Sequence, residues 1–525
     1  MATTINDNIF QLKKRVLLAL FFFLVVWFSW AQQDSLLTNL SVNERDFSLL
    51  QFKERFQPIP SLIHQSTLKK YNLGEAKYLY SKGDLQHLQH YKKQNGFAFH
   101  TESLSPLSKT GWTLFGALSY LNVRKDDVDA NLSYGSQLYD SPIYLFQEAR
   151  GFWNHQNYKF RVDAANQITD RLSLGAHLKY STNLYYRKID TRNETVSLHV
   201  PMRVSVSYEL NPKNIFSATL GLEYRKADLQ INNRFMTNNS GAEYIVYLNT
   251  GLGSFVNGFG NSARFETKGN IPEFQLHWLY KFTNADISLL SQTKFGNEEW
   301  LDQSITRTDL NNTLAEYHFT KQKFTIHYSY YFSKSTLAVN LKTNYLDGES
   351  QFFNEVASQF QNNFYVTSYQ VSSEVKLITA DAFINQLGLG VVYENRERLD
   401  VNFGYQFDNS YIHPSVTFGL NKTVTQSSSL FSKMVLNYYY PLAINHNPFV
   451  ANNVYVDLIG TPVANYLETE SLGIDTHLGI QYELKDQNLI EFNFIVNYQK
   501  ALNSPMNSFD NTDFLEIVIG SRLYF

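Results

Sequence analysis

Apolar and polar residues alternate strictly along most of this chain. From Val196 to Leu210 the even positions are apolar, running through Met202, Val204 and Val206 to Tyr208 and Leu210. The odd positions carry Ser197, His199, Pro201, Arg203, Ser205, Ser207 and Glu209. Successive side chains of a strand point to opposite faces, so this run predicts a strand with one apolar and one wet face. Phe216, Ala218, Leu220, Leu222 and Tyr224 repeat the pattern against Ser217, Thr219, Gly221, Glu223 and Arg225. Between the two runs, Asn211-Pro212-Lys213-Asn214 is a turn by composition. Further runs begin at Leu172, Phe274, Leu337, Leu472 and Ile490. No window shows a helical period of comparable length, and the chain reads as all-β.

Run length then separates a membrane barrel from a soluble sandwich or propeller. Soluble β folds use strands of about 5–6 residues. The runs here extend over roughly 9–15, the length that crosses a bilayer at a tilt. Apolar faces end in clusters such as Tyr438-Tyr439-Tyr440 and Tyr330-Tyr331-Phe332, as expected where an outward face meets lipid headgroups. Short links near 168–170, 211–214, 283–285 and 485–487 alternate with long Asn/Gly/Ser-rich ones near 125–154, 228–263, 296–320, 347–363 and 441–467. The prediction is a single antiparallel transmembrane β-barrel of about 16 strands (14–18), with short periplasmic turns and long external loops. An even number brings both termini to the periplasmic end, and closure leaves no unpaired edge in lipid.

Composition narrows the function classes. Of 525 residues, 35 are Tyr and 40 are Phe, none is Cys, and 18% are charged. The aromatic content excludes disorder. Without Cys there is no disulfide framework and no thiolate metal site. With 45 basic against 48 acidic residues the chain offers no footprint for nucleic acid. Lys13-Lys14-Arg15, the apolar run 16–30, and the small residues Ser29 and Ala31 read as a signal peptide over 1–31, cleaved near Ala31. The apolar run is shorter than the roughly 20 residues of a membrane anchor.

The final strand, Leu515, Ile517, Ile519, Ser521, Leu523 and Phe525, ends on an aromatic residue. It resembles the C-terminal signal of Gram-negative outer-membrane β-barrel proteins, in which the last aromatic residue, here Phe525, is the assembly signal. The opening Gly111-Trp112-Thr113-Leu114-Phe115-Gly116-Ala117-Leu118-Ser119-Tyr120, the Tyr/Asn-rich strands and Gln32 directly after the cut are similar to uncharacterised Bacteroidota-type barrels. The resemblance covers roughly residues 96–525. It implies the cell outer membrane, with outer-membrane lipid, the barrel assembly machinery and another outer-membrane uptake or secretion component as partners. It implies no cargo. The short segment before the barrel leaves no room for a separate plug domain like that of the TonB-dependent receptors.

Residues 32–95 differ from the rest, with Phe52-Lys53-Glu54-Arg55-Phe56, Pro58, Pro60 and Leu85-Gln86-His87-Leu88-Gln89-His90. They read as an N-terminal periplasmic segment or a lumen plug, the latter as in the fatty-acid transporter-like barrels. His87 and His90 have a helical spacing that could meet a metal, but no third ligand is near, so no metal and no cofactor are expected. Arg161, Arg203, Glu223, Arg225, Glu273, Lys281, Asp475, Glu483 and Glu491 fall on polar faces and are expected to point into the lumen. There they either set selectivity or pair and hold the barrel shut. The glycine-rich stretch 251–260 lacks the ending of a phosphate loop and reads as a mobile external loop. Phe146, Phe152 and Trp153 in the first long loop contact either a ligand or the loop itself.

His199, His277, His327 and His477 lie on separate strands with no nucleophile motif beside them, so no enzyme activity is expected. A barrel of this size is wide enough for water unless something fills it. The expected function is therefore a passive channel or transporter for small solutes or hydrophobic nutrients. The alternative is a non-conducting accessory subunit of an outer-membrane uptake or secretion complex.

Overall fold

The computed structural model describes residues 42–525 apart from 67, 69, 88, 108–109, 134–140, 188–190, 233–244, 257–261, 304–311, 355–358, 380–382, 426, 449–452, 485–487, 505–508 and 510. The expected signal peptide and the 485–487 link lie outside the described residues. A short helix, α1 (Val42–Gln51), continues into single turns at Phe52–Phe56 and Pro60–Gln65. Then come β1 (Tyr71–Gly83), β2 (Lys93–Leu107), β3 (Trp112–Val128), β4 (Tyr144–Phe146), β5 (Gly151–Gln167), β6 (Leu172–Tyr186), β7 (Arg192–Asn211), β8 (Asn214–Asn232), β9 (Tyr247–Asn249), β10 (Phe255–Val256) and β11 (Ser262–Lys281). The second half holds β12 (Ala285–Asp302), β13 (Thr313–Tyr331), β14 (Ser335–Asn354), β15 (Gln359–Thr379), β16 (Ile384–Asp400), β17 (Tyr405–Thr425), β18 (Ser428–Asn447), the helix α2 (Thr461–Leu467), β19 (Glu470–Glu483), β20 (Leu489–Asn503) and β21 (Asp513–Tyr524).

Eighteen of these strands form one closed antiparallel sheet, each pairing with its neighbour in the chain, while β4, β9 and β10 form a separate three-stranded sheet. The circle closes where β1 pairs with β21, from Leu73 opposite Tyr524 to Gly83 opposite Phe514. The backbone of Phe525 extends this seam, its N–H donating to Asn72 O at 3.2 Å. Both ends of the wall therefore meet at the end with short turns, called here the turn end. The opposite one is the loop end.

Near the turn end the faces are inverted relative to a soluble protein. Val204, Leu220 and Leu389 are 61%, 61% and 65% exposed, whereas Ser205, Thr219 and Glu223 on the other face are buried. Such an apolar exterior suits lipid, where the backbone must be satisfied within the wall. Aromatic residues ring its edge: Tyr280 lies 4.4 Å from Phe282, Tyr330 4.6 Å from Phe332, and Phe216 stacks 6.4 Å from Trp278.

Toward the loop end the pattern changes phase. On β8 the outward positions become Lys226, Asp228 and Gln230, while inward Ala227, Leu229 and Ile231 are buried. Lys226 and Lys268 pair with Glu266 at 3.0 and 2.5 Å on the outside of the wall, beside Arg264 and Asp228 at 3.6 Å. A strand of 21 residues, such as β15, stands roughly 50 Å tall at about 3.4 Å per residue and a ~45° tilt, twice the ~25 Å apolar band. The loop half of the wall thus rises into water and has an apolar interior of its own.

The barrel has eighteen strands, the upper bound of the expected 14–18. One expectation is corrected: the barrel begins at Tyr71 rather than at residue 96. In β1, Ala76, Tyr78 and Tyr80 alternate with Glu75, Lys77 and Ser81, interrupted only by Leu79, and this strand is the seam of the barrel. The long connections are also shorter than they read. The phase change at Arg225–Ala227 ends a run of alternation without ending the strand.

An outward substitution tests the orientation of the wall. Leu220→Arg is expected to cost about 2–4 kcal/mol of folding free energy in phospholipid vesicles, as for a cation in the lipid-facing belt. Lys226→Arg, on the same face above the belt, is expected to change it by less than about 0.5 kcal/mol. Guanidinium unfolding followed by tryptophan fluorescence measures both.

Candidate functional site

A barrel of eighteen strands would leave an aqueous lumen, but here chain segments enter it from both ends. At the turn end, residues 42–66 lie inside the wall. Phe52, Ile59, Leu62 and Ile63 are fully buried against inward residues that include Leu104, Phe115, Ile215, Leu279 and Leu290. The segment is fastened around the circumference. Ser61 N–H donates to Ser205 Oγ at 2.7 Å, Arg161 Nη2 donates to Gln57 O at 3.2 Å, and Lys281 Nζ donates to Gln65 Oε1 at 3.2 Å. Arg55 pairs with Asp286 at 2.7 Å, Lys342 with Glu54 at 2.6 Å and Lys53 with Glu102 at 3.0 Å. Gly175 is required for the fit, because a Cβ there would strike the backbone of Pro60 and Ser61.

Above this segment, a charged belt crosses β7, β8, β11 and β12. Arg203 bridges Glu273 at 3.0 Å and Glu223 at 3.9 Å, and Arg225 lies 3.7 Å from Glu223. Lys294 Nζ reaches both carboxylates, and His199 Nε2 lies 3.2 Å from Glu223. Gln275 and Gln292 donate to Glu273. The two carboxylates are almost wholly buried, so their ionised forms depend on these cations and amides.

The loop end is covered from within. The small sheet of β4, β9 and β10, with α2 and its preceding turn, packs on the apolar inner face of the raised wall, where Leu132, Leu145, Phe146 and Leu248 meet Phe265, Trp300 and Tyr317 in one core. Phe146 stacks on Tyr247 at 5.0 Å and meets Tyr455 edge-on at 6.1 Å. This cap is latched to the wall by Asp400. Its buried carboxylate accepts from Leu252 N (2.8 Å), Ser254 N (3.1 Å), Ser254 Oγ (3.0 Å), Asn402 N (3.1 Å) and Phe403 N (3.2 Å). A side chain at Gly251 would collide with that carboxylate. Asn363 Nδ2 and Ser350 Oγ both donate to Thr250 O, at 2.6 and 3.0 Å.

Beneath the cap is a cavity of about 270 Å³. Its lining includes His87 and Gln89 from the β1–β2 loop, Tyr144, Asn249 and Tyr455 from the cap, and Arg396, Arg398, Tyr405 and Phe407 from the wall. Burial, the neighbouring His90, and then Arg398 and Arg396 hold the His87 imidazole down to about 3.

The nine residues expected in the lumen divide into groups. Arg203, Glu223, Arg225 and Glu273 meet in the belt. Arg161 pairs with Asp163 at 2.7 Å as well as holding the inserted segment, which Lys281 also contacts. Glu491 is fully buried at the seam, 3.3 Å from Arg522 and 4.0 Å from Arg45. Asp475 accepts from Asn437 at 3.1 Å, apart from the belt. Glu483 is exposed at the turn end of β19 and joins none of these groups. Lys294 went unread because Leu289 and Leu290 are adjacent and break the alternation, Leu290 being the one that faces the inserted segment.

The glycine-rich stretch is corrected. Residues 251–256 are built into the cap and tied to Asp400, and 257–260 lie outside the described residues. Phe146 and Trp153 are both buried within the protein, and Phe152 lies under Arg124 at 4.4 Å. These are loop and wall contacts. Among the described residues, no group of three or more His, Asp or Glu could hold a metal ion.

Residues 60–525 match the model of a family described as "Family of unknown function (DUF6850)". No curated protein matches the chain. Among solved structures it is similar to the FrpB iron transporter from Neisseria meningitidis, at 7% identity over 90% of this chain and 83% of that one, with a TM-score of 0.44. The ferric preacinetobactin receptor BauA from Acinetobacter baumannii gives 7%, 87%, 80% and 0.40 in the same order. The RagAB peptide importer gives 8%, 87%, 86% and 0.39. At these identities and TM-scores the likeness carries no functional argument.

Removing a belt cation leaves buried carboxylates short of a partner. Arg203→Ala is expected to lower unfolding free energy by about 3 kcal/mol, whereas Glu483→Gln should change it by less than about 0.5 kcal/mol, both from denaturant titration. A second expectation concerns His87. Its folded pKa lies below the free value, so acid protonates the released loop before the seated one, and the seat weakens from about pH 6.5 down to about 3. Amide exchange over residues 85–91, corrected for intrinsic rate, should be faster at about pH 5 than at 7.5, and His87→Asn should abolish the difference.

Proposed function

The chain belongs to that family of unknown function, and from its doubly closed lumen we propose that it is a gated outer-membrane transporter for small solutes. The single observation that carries this reading is that a wall wide enough for water is closed at one end by residues 42–66 and at the other by loops folded onto Asp400. The polar belt between the two closures gives a solute hydrogen-bonding partners along the way. A passive, permanently open channel is the weaker form of the transport reading, because neither closure leaves the lumen clear.

The two closures are separable. The inner segment runs directly into β1, and the cap depends on one carboxylate for three hydrogen bonds, from Leu252 N, Ser254 N and Ser254 Oγ. Deletion must stop short of Tyr71, since the seam strand begins there. Protein lacking residues 32–66 and carrying Asp400→Ala is expected to give steady single-channel current in planar bilayers. Wild type, and each change alone, should give little or none. Silence from the doubly altered but folded barrel would overturn the transport reading and favour the non-conducting accessory subunit.

A further inference from the structure

The chamber beneath the cap has the make-up of a ligand site. We propose that it binds a small hydroxylated organic anion, of which a sugar acid is the type, at the boundary between the cap and the β16–β17 wall. This rests on the transporter reading and names the class of solute held at its loop-end gate.

Three observations converge there. First, register puts Arg396 and Arg398 at alternate positions of β16, so both point inward and both line the cavity. Arg396 Nη2 donates to Glu394 at 2.8 Å, and Arg398 donates to Asn409 at 3.0 Å with its guanidinium 4.2 Å from the centre of the Phe407 ring. Phe407 thus holds the Arg398 fork in place, the geometry suited to a carboxylate. Among the described residues, no acidic side chain lines the chamber. Asp400, the next inward residue, spends its oxygens on the cap.

Second, two residues that line this space each carry a buried polar atom with no hydrogen-bond partner. These atoms are the hydroxyl of Tyr405, whose side chain is 1% exposed, and Oδ1 of Asn249, which is wholly buried. Leaving such an atom unpaired is costly, and the two belong to different elements of the chamber lining, a wall strand and a cap strand. Ligand hydroxyls would satisfy both. Third, Tyr144, Tyr455 and Phe407 present aromatic surface to the same volume, which suits the apolar face of a ring. At about 270 Å³ the chamber falls just under the ~300–1,000 Å³ of sites for drug-sized ligands, so the ligand is small. The low His87 pKa agrees with a positive local potential, since Arg396 and Arg398 are among its causes.

The test is equilibrium dialysis of the refolded mature protein in detergent against radiolabelled D-glucuronate, with D-glucose as the neutral counterpart of the same size. Saturable retention of glucuronate is expected at millimolar concentration, with about tenfold preference over glucose. Arg398→Met, which keeps the stem on Phe407, should remove the preference. Tyr405→Phe deletes only the unpaired hydroxyl and should weaken glucuronate binding about fivefold while leaving thermal stability unchanged or raised. Equal retention of the two sugars, no retention by folded protein, or unaltered affinity in Tyr405→Phe would each overturn the proposal. Because binding is read in micelles without current, it can fail while the conductance experiment succeeds, and the reverse.

Discussion

The pairing of β1 with β21 is the contact on which the rest of this protein depends. In lipid an unpaired strand edge leaves a row of backbone groups with no partner, so the wall must close completely or not at all. The strand that closes it follows directly after the inserted segment, and Arg522 on β21 joins the two. It lies 2.5 Å from Glu75 on β1, 3.3 Å from Glu491 on β20 and 3.7 Å from Asp46 in the inserted segment. Closure of the circle and occupation of the turn end are therefore coupled through one guanidinium.

The wall does two jobs along its height. Its turn half is apolar outside, as lipid requires, and inside it presents polar positions together with apolar ones such as Phe115 and Leu279 that hold the inserted segment. Its loop half is charged outside and apolar inside, as an ordinary soluble β-sheet would be, and this supplies the surface on which the cap folds. The same strands change solvent partway along, so the phase of their alternation must shift, as it does between Tyr224 and Ala227. The cap core and the lipid belt are two consequences of that one shift.

The charges are not spread evenly through the lumen. They gather in the belt, around Arg522 at the seam, and in the β16 ladder of Glu394, Arg396, Arg398 and Asp400, where a reading by alternation sees polar residues on both faces (Glu394-Asn395-Arg396-Glu397-Arg398). Only register shows that the even members share the lumen face and that Glu397 does not. The belt residues Arg203, Glu223, Arg225 and Glu273 were legible individually, because each sits opposite a clear apolar face. Their meeting was not, since it depends on four strands lying side by side.

By itself the sequence determined the fold class, the outward lipid face and the inward polar one, because period-two alternation reports which side of a strand meets which solvent. Tertiary structure alone decided that the alternation continues past its phase change and that Tyr71–Gly83 closes the circle. It alone also decided that residues 42–66 and 251–256 turn inward. Alternation is a local signal, carried by adjacent side chains. Closure, insertion and latching are made by residues a hundred or more positions apart, such as Leu252 and Asp400, and no local pattern records which distant partner a turn of chain will meet.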